Sequence, residues 1–431
     1  MLRIISSNRQ EALLDALAAR LRVPPDANPL TPERVVAERG MNTWVLQQLA
    51  ERHGIAANID FQYPAAFVWQ ALRALVPDLP KQSQFDAAPL TWRLMRLLSP
   101  LLAEPAFQAI DRYLQDDADG RKRYQLCGRI ATVFNDYLVY RPQMMLGWAK
   151  GRRSTESPDE AWQLRLWQAV TRELGDGHRA RLLARFAQLP DAVVAAAALP
   201  RRVSVFGVPA LPPVYVEALA RLGRSRDVDL YVLNPSEAFW GDLVDPKVLA
   251  ANAEVLGYAH DLTNRLLASW GQPVRYFLSE LYGQEAEYVD AWGEERAPET
   301  LLHRVQADIR ELTETTGRAL DPGDDTIRIA SCWGPMREVE ALHDWLLGRF
   351  QADPTLRPRD VVVLTPDIDQ YAPCVDAVFG AAEGTPRHLP WNLADVPPRA
   401  AYPLLAVVEQ LLRLPASRFT VSEVLGLLET P

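Results

Sequence analysis

The chain has 431 residues, 48% of them hydrophobic, enough to bury more than one core and to make roughly two to three domains. A formal net charge of −9 and a pI near 5.4 exclude a surface coated in positive charge, and leave a nucleic-acid partner only a local channel lined by Arg, which is far commoner than Lys. Three widely spaced cysteines (Cys127, Cys332, Cys374) give neither a disulfide framework nor zinc-ligand spacing; they fit a reducing cytoplasm and read as small buried hydrophobes.

In chain order, Met1–Ile5 reads as a short apolar strand, Ser6-Ser7-Asn8-Arg9 as a polar turn, and Gln10–Leu21 as a helix whose Leu13, Leu14, Leu17 and Leu21 share one face. In this frame a nucleotide-driven motor carries its phosphate loop, because Gly-rich backbone N–H groups and a helix N-terminus cradle phosphates while a Lys reaches the terminal ones. The turn here has no Gly, no Lys and no following Ser or Thr in that register. No extended apolar run follows Met1–Ile5, so no signal peptide is expected, and no other run is long enough to span a membrane.

Pro24–Pro29 is a loop and Arg34–Ala37 a second buried strand. From Gly40 to about residue 190 the pattern is helical with Pro or Gly breaks. Trp44, Leu46 and Leu49 begin it, and Phe67–Leu75, Thr91–Leu102, Ala106–Leu114, Arg121–Tyr140, Glu160–Leu174 and Arg179–Leu189 follow. Strand signals return at Val203–Gly207 and Asp229–Leu233, on either side of a helix over Pro213–Leu222, which makes a βαβ unit. Residues 236–300 mix helical segments with aromatics such as Phe239, Trp240 and Tyr258, and Leu301–Leu312 is helical.

The polar stretch Leu320–Asp325 is the best domain boundary. Beyond it Ile327–Ala330 (strand), Met336–Phe350 (helix), Val361–Leu364 (strand) and Tyr371–Phe379 (helix) open a second α/β domain. The expected fold class is α/β with two parallel-sheet domains. Residues 1–38 and 191–320 form the first, 39–190 are an all-helical insertion in it, and 325–431 begin the second. The chain stops just after an amphipathic Val421–Leu428, as a piece of a longer protein would.

Two α/β domains, the first interrupted by a helical block, resemble the plan of superfamily 1 helicases. Five separated stretches in order, Gly54–Phe61, Tyr137–Pro142, Ala210–Tyr215, Ala268–Gly271 and Arg337–Glu340, are similar to one family in particular, the exodeoxyribonuclease V gamma subunits, RecC. RecC chains are far longer, so the resemblance implies an N-terminal portion. It also implies an inactive helicase-like fold that has lost ATP binding and has no catalytic, cofactor or metal site. Helicase and nuclease activities would reside in the partner subunits RecB and RecD, with single-stranded and forked double-stranded DNA as ligands. The role implied is recognition of a Chi-type sequence during double-strand break repair by homologous recombination in the cytoplasm. The residues agree: the turn at Ser6–Arg9 lacks the phosphate-loop Lys, and Gly207-Val208-Pro209 stands after the strand Val203–Phe206, where Mg²⁺-holding and water-handling carboxylates belong.

Reading unstacked bases needs aromatic faces for stacking, Arg for phosphates and guanine edges, and Asn, Asp or Thr for base-edge hydrogen bonds. The resemblance places these roles at Arg39, Thr43, Tyr63 and Trp69, and further along at Thr132, Val133, Asn135, Asp136, Arg141 and Arg179. For Trp69 the family position argues for DNA, and its apolar helix start argues for burial. Arg141 precedes Pro142 at a helix end, where an Arg also serves the helix dipole. Arg39 sits before Gly40, where a solvated surface Arg is the default, and Tyr63 before Pro64 should be extended and partly exposed.

Several positions depart from the enterobacterial form of the family. Ala37 and Arg39 stand for Gln and Thr, Thr43 for Gln, and Thr132 and Asn135 for Asp, the groups that would choose a base. The six histidines show no metal spacing and there is no G-x-S-x-G elbow. Asp367 reads as a helix N-cap and Asp116–Gly120 as a solvated turn rather than a calcium loop. Two other readings compete: an α/β enzyme with an unrecognised nucleotide site, which the missing Lys opposes, and a helical scaffold that binds only protein partners.

Overall fold

A computed structural model of the chain describes residues 1–38, 40–76, 78–243, 264–293, 297–317, 319, 321–396 and 403–428. The chain divides into two compact units, Met1–Thr326 and Ile327–Pro431.

The first unit is built on one sheet of six parallel strands: β1 (Leu2–Ser7), β2 (Glu33–Ala37), β3 (Ile59–Gln62), β4 (Arg202–Phe206), β5 (Asp227–Leu233) and β6 (Glu287–Asp290), in the order β3-β2-β4-β5-β1-β6. Parallel strands are covered on both faces, so the central ones are apolar runs, and their period of two deals side chains alternately to two cores. Leu2, Ile4, Val36, Val203, Val205, Val228 and Leu230 pack on one face against α3 (Pro64–Leu75), α9 (Arg179–Ala187) and α11 (Pro213–Gly223). On the other, Ile5, Val35, Ala37, Phe206 and Tyr231 pack against α1 (Gln10–Leu21) and α2 (Met41–His53). Charge inside the sheet is paired. Asp229, fully buried, accepts from Arg3 at 2.7 Å and Arg20 at 3.1 Å. The Arg202 guanidinium holds Glu33 in a buried two-point contact and donates to the Val23 carbonyl at 2.6 Å.

A separate helical core lies between Phe85 and Ala180, from α4 (Ala87–Leu101), α5 (Gln108–Leu114), α6 (Arg121–Tyr140), α7 (Pro142–Ala149), α8 (Pro158–Leu174) and the start of α9. Its centre holds the fully buried Phe134, Trp148 and Trp167. Trp148 donates to the Glu160 carboxylate at 2.6 Å and Trp167 to the Met145 carbonyl at 3.1 Å, so neither indole N–H is stranded. Burial pushes the Glu160 carboxyl up, but hydrogen bonds from the Ser154 N–H, the Thr155 hydroxyl and N–H, and Trp148 outweigh it and hold it at about 2. Two helices belong to both cores. α6 gives Phe134 and Leu138 to the helical core and Val139 to the sheet core, while α9 gives Ala180 to the first and Leu182, Leu183 and Phe186 to the second.

The α/β class and the strands at Met1, Arg34, Val203 and Asp229 are found where the sequence puts them. β3 and β6 are additions: Ile-Asp-Phe-Gln and Glu-Tyr-Val-Asp are short edge strands, too little buried to need the apolar run that marks a central strand. The sheet therefore continues past Gly40. Of the cysteines, Cys127 is buried, its thiol pushed by that burial to about 11, whereas Cys332 and Cys374 are half-buried.

The second unit contains α15 (Pro335–Ala352), α16 (Ile368–Val375), α17 (Pro403–Arg413) and α18 (Val421–Leu428), after α10 (Asp191–Ala196), α12 (Arg265–Trp270), α13 (Gln272–Tyr282) and α14 (Leu301–Glu311) of the first. Its core is Val339, Leu346, Phe379 and Leu389, with His343 edge-on to Phe379 and its Nε2 bonded to the Arg387 carbonyl at 3.1 Å. The strands expected over Ile327–Ala330 and Val361–Leu364 are not formed, and Ile329, Val362 and Leu364 are exposed. A strand exists only against a partner, and among the described residues of this unit neither segment has one.

Candidate nucleic-acid interface

Where α4, α6 and α9 meet, side chains from all three form one chain of hydrogen bonds. Asp86, just before α4, leaves the helix N-terminus uncapped and instead accepts from Arg179 at 2.7 Å. The second guanidinium nitrogen of Arg179, the first residue of α9, donates to Asn135 Oδ1 at 3.4 Å, and Asn135 Nδ2 donates to the carbonyls of Phe85 at 2.7 Å and Ala131 at 3.0 Å. Burial raises the pKa of the Tyr215 phenol on α11; Arg179 opposes this, and Tyr140 and Asp86 reinforce it, which places these groups around one another.

From this cluster the outer face of α6 presents Thr132, Val133, Asp136 and Tyr140 to solvent, with the Thr132 hydroxyl turned back to the Gly128 carbonyl at 3.1 Å. Arg141 ends the helix, and Pro142 opens α7. Arg141 is exposed and, among the described residues, has no side-chain hydrogen bond or ion pair, so its cation is available to an anion from solution.

The remaining candidates stand apart. Tyr63 is extended before Pro64, as expected, and 51% exposed. Thr43 is exposed in the first turn of α2, and neither residue bonds to the α6 cluster. Trp69 is only 9% exposed in the sheet-side core, and its indole N–H is used by the carbonyls of Pro80 at 3.3 Å and Lys81 at 3.1 Å. Burial is thus what the structure gives Trp69, and a base would find little of its face. Arg39, like Tyr258 and Leu320, lies outside the described residues. Asp86 and Tyr140 were not singled out from sequence. An Asp before an apolar helix reads as a cap, and Tyr140 lies inside the Tyr137–Pro142 stretch without a role attached.

In a nucleotide-driven motor the turn after the first strand holds the triphosphate. Between β1 and α1 stand only Asn8 and Arg9, and the Arg9 N–H is taken by Ser7 Oγ at 3.1 Å. After β4, Gly207 has φ +64°, a left-handed conformation that disfavours any side chain, and the Met41 side chain lies over it, 2.6 Å from where a Cβ would stand. The acidic pairs elsewhere cap helices. Asp117 accepts from the N–H groups of Lys122 at 2.9 Å and Arg123 at 3.0 Å, and Asp367 from Gln370 at 3.3 Å. Among the described residues no cluster of His, Cys, Asp and Glu is arranged to hold a metal, and no helix is long and apolar enough to cross a membrane.

The profile of the RecC N-terminal domain matches residues 2–312, most of the chain. This chain belongs to the RecC family. Its similarity to RecBCD enzyme subunit RecC of Escherichia coli K12 is 38% identity over all of this chain and 42% of the relative. The Haemophilus influenzae subunit is 31% identical over 99% of this chain and 43% of its own length, and that of Mycolicibacterium smegmatis 32% identical over 98% and 40%. The chain thus spans about two fifths of the length of the RecC relatives it matches.

Proposed function

We propose that this chain is the N-terminal part of a non-catalytic RecC subunit that works with RecB and RecD in recombinational repair of DNA breaks. In this reading it guides single-stranded DNA across the corner of α6, α7 and α9 and reads a Chi-type sequence there. The observation that carries it is the α6 corner itself. A free cation at Arg141 stands beside an exposed aromatic, Tyr140, and a tethered Arg179–Asn135 pair, which are the groups needed for a phosphate, a base face and a base edge. Because Arg179 is already held by Asp86, it supplies a fixed donor rather than a mobile charge. The two-residue turn between β1 and α1, with neither Gly nor Lys, supports the reading that this part of the subunit takes no part in ATP chemistry.

The test is fluorescence-anisotropy titration of single-stranded DNA onto the assembled full-length complex across a salt series. Arg141→Ala should weaken binding by several-fold and reduce the slope of log K against log salt by about 0.7, the value for one lost phosphate contact on a single strand. Arg179→Ala should alter the response to the regulatory sequence more than bulk affinity. Unchanged binding and unchanged Chi response in both variants would refute the DNA-guiding reading and leave a purely protein-binding scaffold.

A further inference from the structure

Two large aromatics lie exposed side by side on the helical block, away from the corner. Trp92 of α4 is 64% exposed and Tyr124 of α6 46% exposed, with ring centroids 5.1 Å apart and planes tilted by 44°. Elsewhere in this block Trp148 and Trp167 are completely buried, so leaving an indole in water here costs hydrophobic stabilisation that the fold recovers at its other large rings. We propose that Trp92 and Tyr124 form a base-stacking platform for single-stranded DNA, one that continues the α6 track away from Arg179 along the seam between α4 and α6. This rests on the reading that the α6 face guides a DNA strand.

The two helices run antiparallel and are in register. Asn135 bonds to the Phe85 carbonyl at one end, Gly128 faces Thr91 in the middle, and Arg123 donates to Ser99 Oγ at 2.8 Å at the other. Gly128, one turn beyond Tyr124, leaves a notch in which an added Cβ would meet nothing closer than Thr91 Oγ1 at 4.0 Å. From Tyr124 to Thr132 is two helical turns, about 12 Å, the span of a few stacked nucleotides at about 3.4 Å each.

Charge favours a nucleic acid over a protein. α4 carries Arg93 and Arg96 and no acid, and these two share the single carboxylate of Glu173. α6 carries Arg121, Lys122, Arg123 and Arg129 and one acid, Asp136; Asp119 holds Arg121 at 3.0 Å and Asp116 holds Lys122 at 2.5 Å, while Arg129 has no partner among the described residues. In a protein interface hot-spot aromatics are ringed by contacts that exclude water. Here the exposed neighbours along α6 are Arg121, Gln125, Arg129, Thr132 and Val133, a mainly polar rim that includes the unpartnered Arg129 and suits flat bases on an anionic backbone.

The experiment uses the full-length subunit assembled with its partners. Trp92→Ala combined with Tyr124→Ala should lower single-stranded DNA affinity at least about fivefold with subunit assembly unchanged. Tyr124→Phe should bind like the native complex, and 5-iodouracil-substituted oligonucleotide should photocrosslink to Trp92 or Tyr124. If the double variant binds normally while Arg141→Ala does not, the corner contact stands and the platform is refuted. If both bind normally, both readings fall. If the double variant loses subunit assembly while the complex that does form binds DNA normally, the pair is a protein contact and the proposal is overturned.

Discussion

The imidazole of His178 precedes α9 and is 1% exposed, edge-on to Phe85 and Trp167, with ring centroids at 5.5 and 5.2 Å. Its Nδ1 accepts from the Arg181 N–H at 3.3 Å, which caps the helix, and Nε2 has no partner. Both facts require the neutral ring, since a proton on Nδ1 would end the cap and a charged ring would have no solvent. Burial accordingly lowers the His178 pKa to about 4, with Asp176 opposing and Arg181 reinforcing. The ordinary value in the unfolded chain is near 6.5. Stability from this group is therefore intact above pH ~6.5 and is lost as pH falls towards 4, by about 2 kcal/mol at pH 5 and about 3 kcal/mol at the limit. His178→Asn, which can cap without titrating, should flatten this part of the profile, as read from urea midpoints between pH 7 and 4.5. An unchanged slope would show that His178 is not its source. Arg179 is the next residue, so loosening the cap also loosens the donor held on Asp86 and Asn135.

At the scale of elements, β2 and β4 are joined by their ladder and also by Glu33 and Arg202, a pair that is nearly solvent-free. Removing one partner leaves a buried charge without compensation, so Glu33→Ala should cost about 3–5 kcal/mol, whereas Glu33→Leu with Arg202→Met should recover most of that loss. Chemical denaturation of the single and double variants measures both, and a double variant no better than the single one would deny the pair this role. The same strands show what was legible in the sequence. Val203-Ser204-Val205-Phe206 and Val35-Val36-Ala37 are covered on both faces, so composition alone betrays them, whereas β3 and β6 are edges with little apolar demand and left no such mark. Residues of the site were legible only in part. Tyr63 is exposed as its pre-proline position suggested, and Trp69 is buried on α3 as its apolar helix start suggested, but nothing in the sequence reading marks Trp92 as exposed on α4. The difference between the two indoles is set by which helix covers which face. The Asp86–Arg179–Asn135 chain joins residues 93 and 44 positions apart, and pairing at such separation has no signature in one sequence.

At the scale of the whole molecule the two units differ in how much they bury. In Met1–Thr326, α6 and α9 each contribute to the sheet core and to the helical core, so neither core can be lost without exposing part of the other. Among the described residues of Ile327–Pro431 the buried centre is Val339, Leu346, Phe379 and Leu389, while Ile329, Val362 and Leu364 lie exposed on segments of strand-like composition that have no ladder there. Unpaired apolar segments of that kind are templates for association, and a centre that small does little against the conformational entropy of about a hundred residues. Residues 1–326 produced alone should therefore melt in one cooperative transition, reported by the buried Trp148 and Trp167. Residues 327–431 produced alone should give a shallow transition, bind a hydrophobic dye and elute above their monomer mass. Two resolved transitions in 1–326 would mean that the shared helices do not couple its cores. A sharp transition with strictly monomeric elution at high concentration for 327–431 would mean that its exposed strand-like segments are satisfied within that unit.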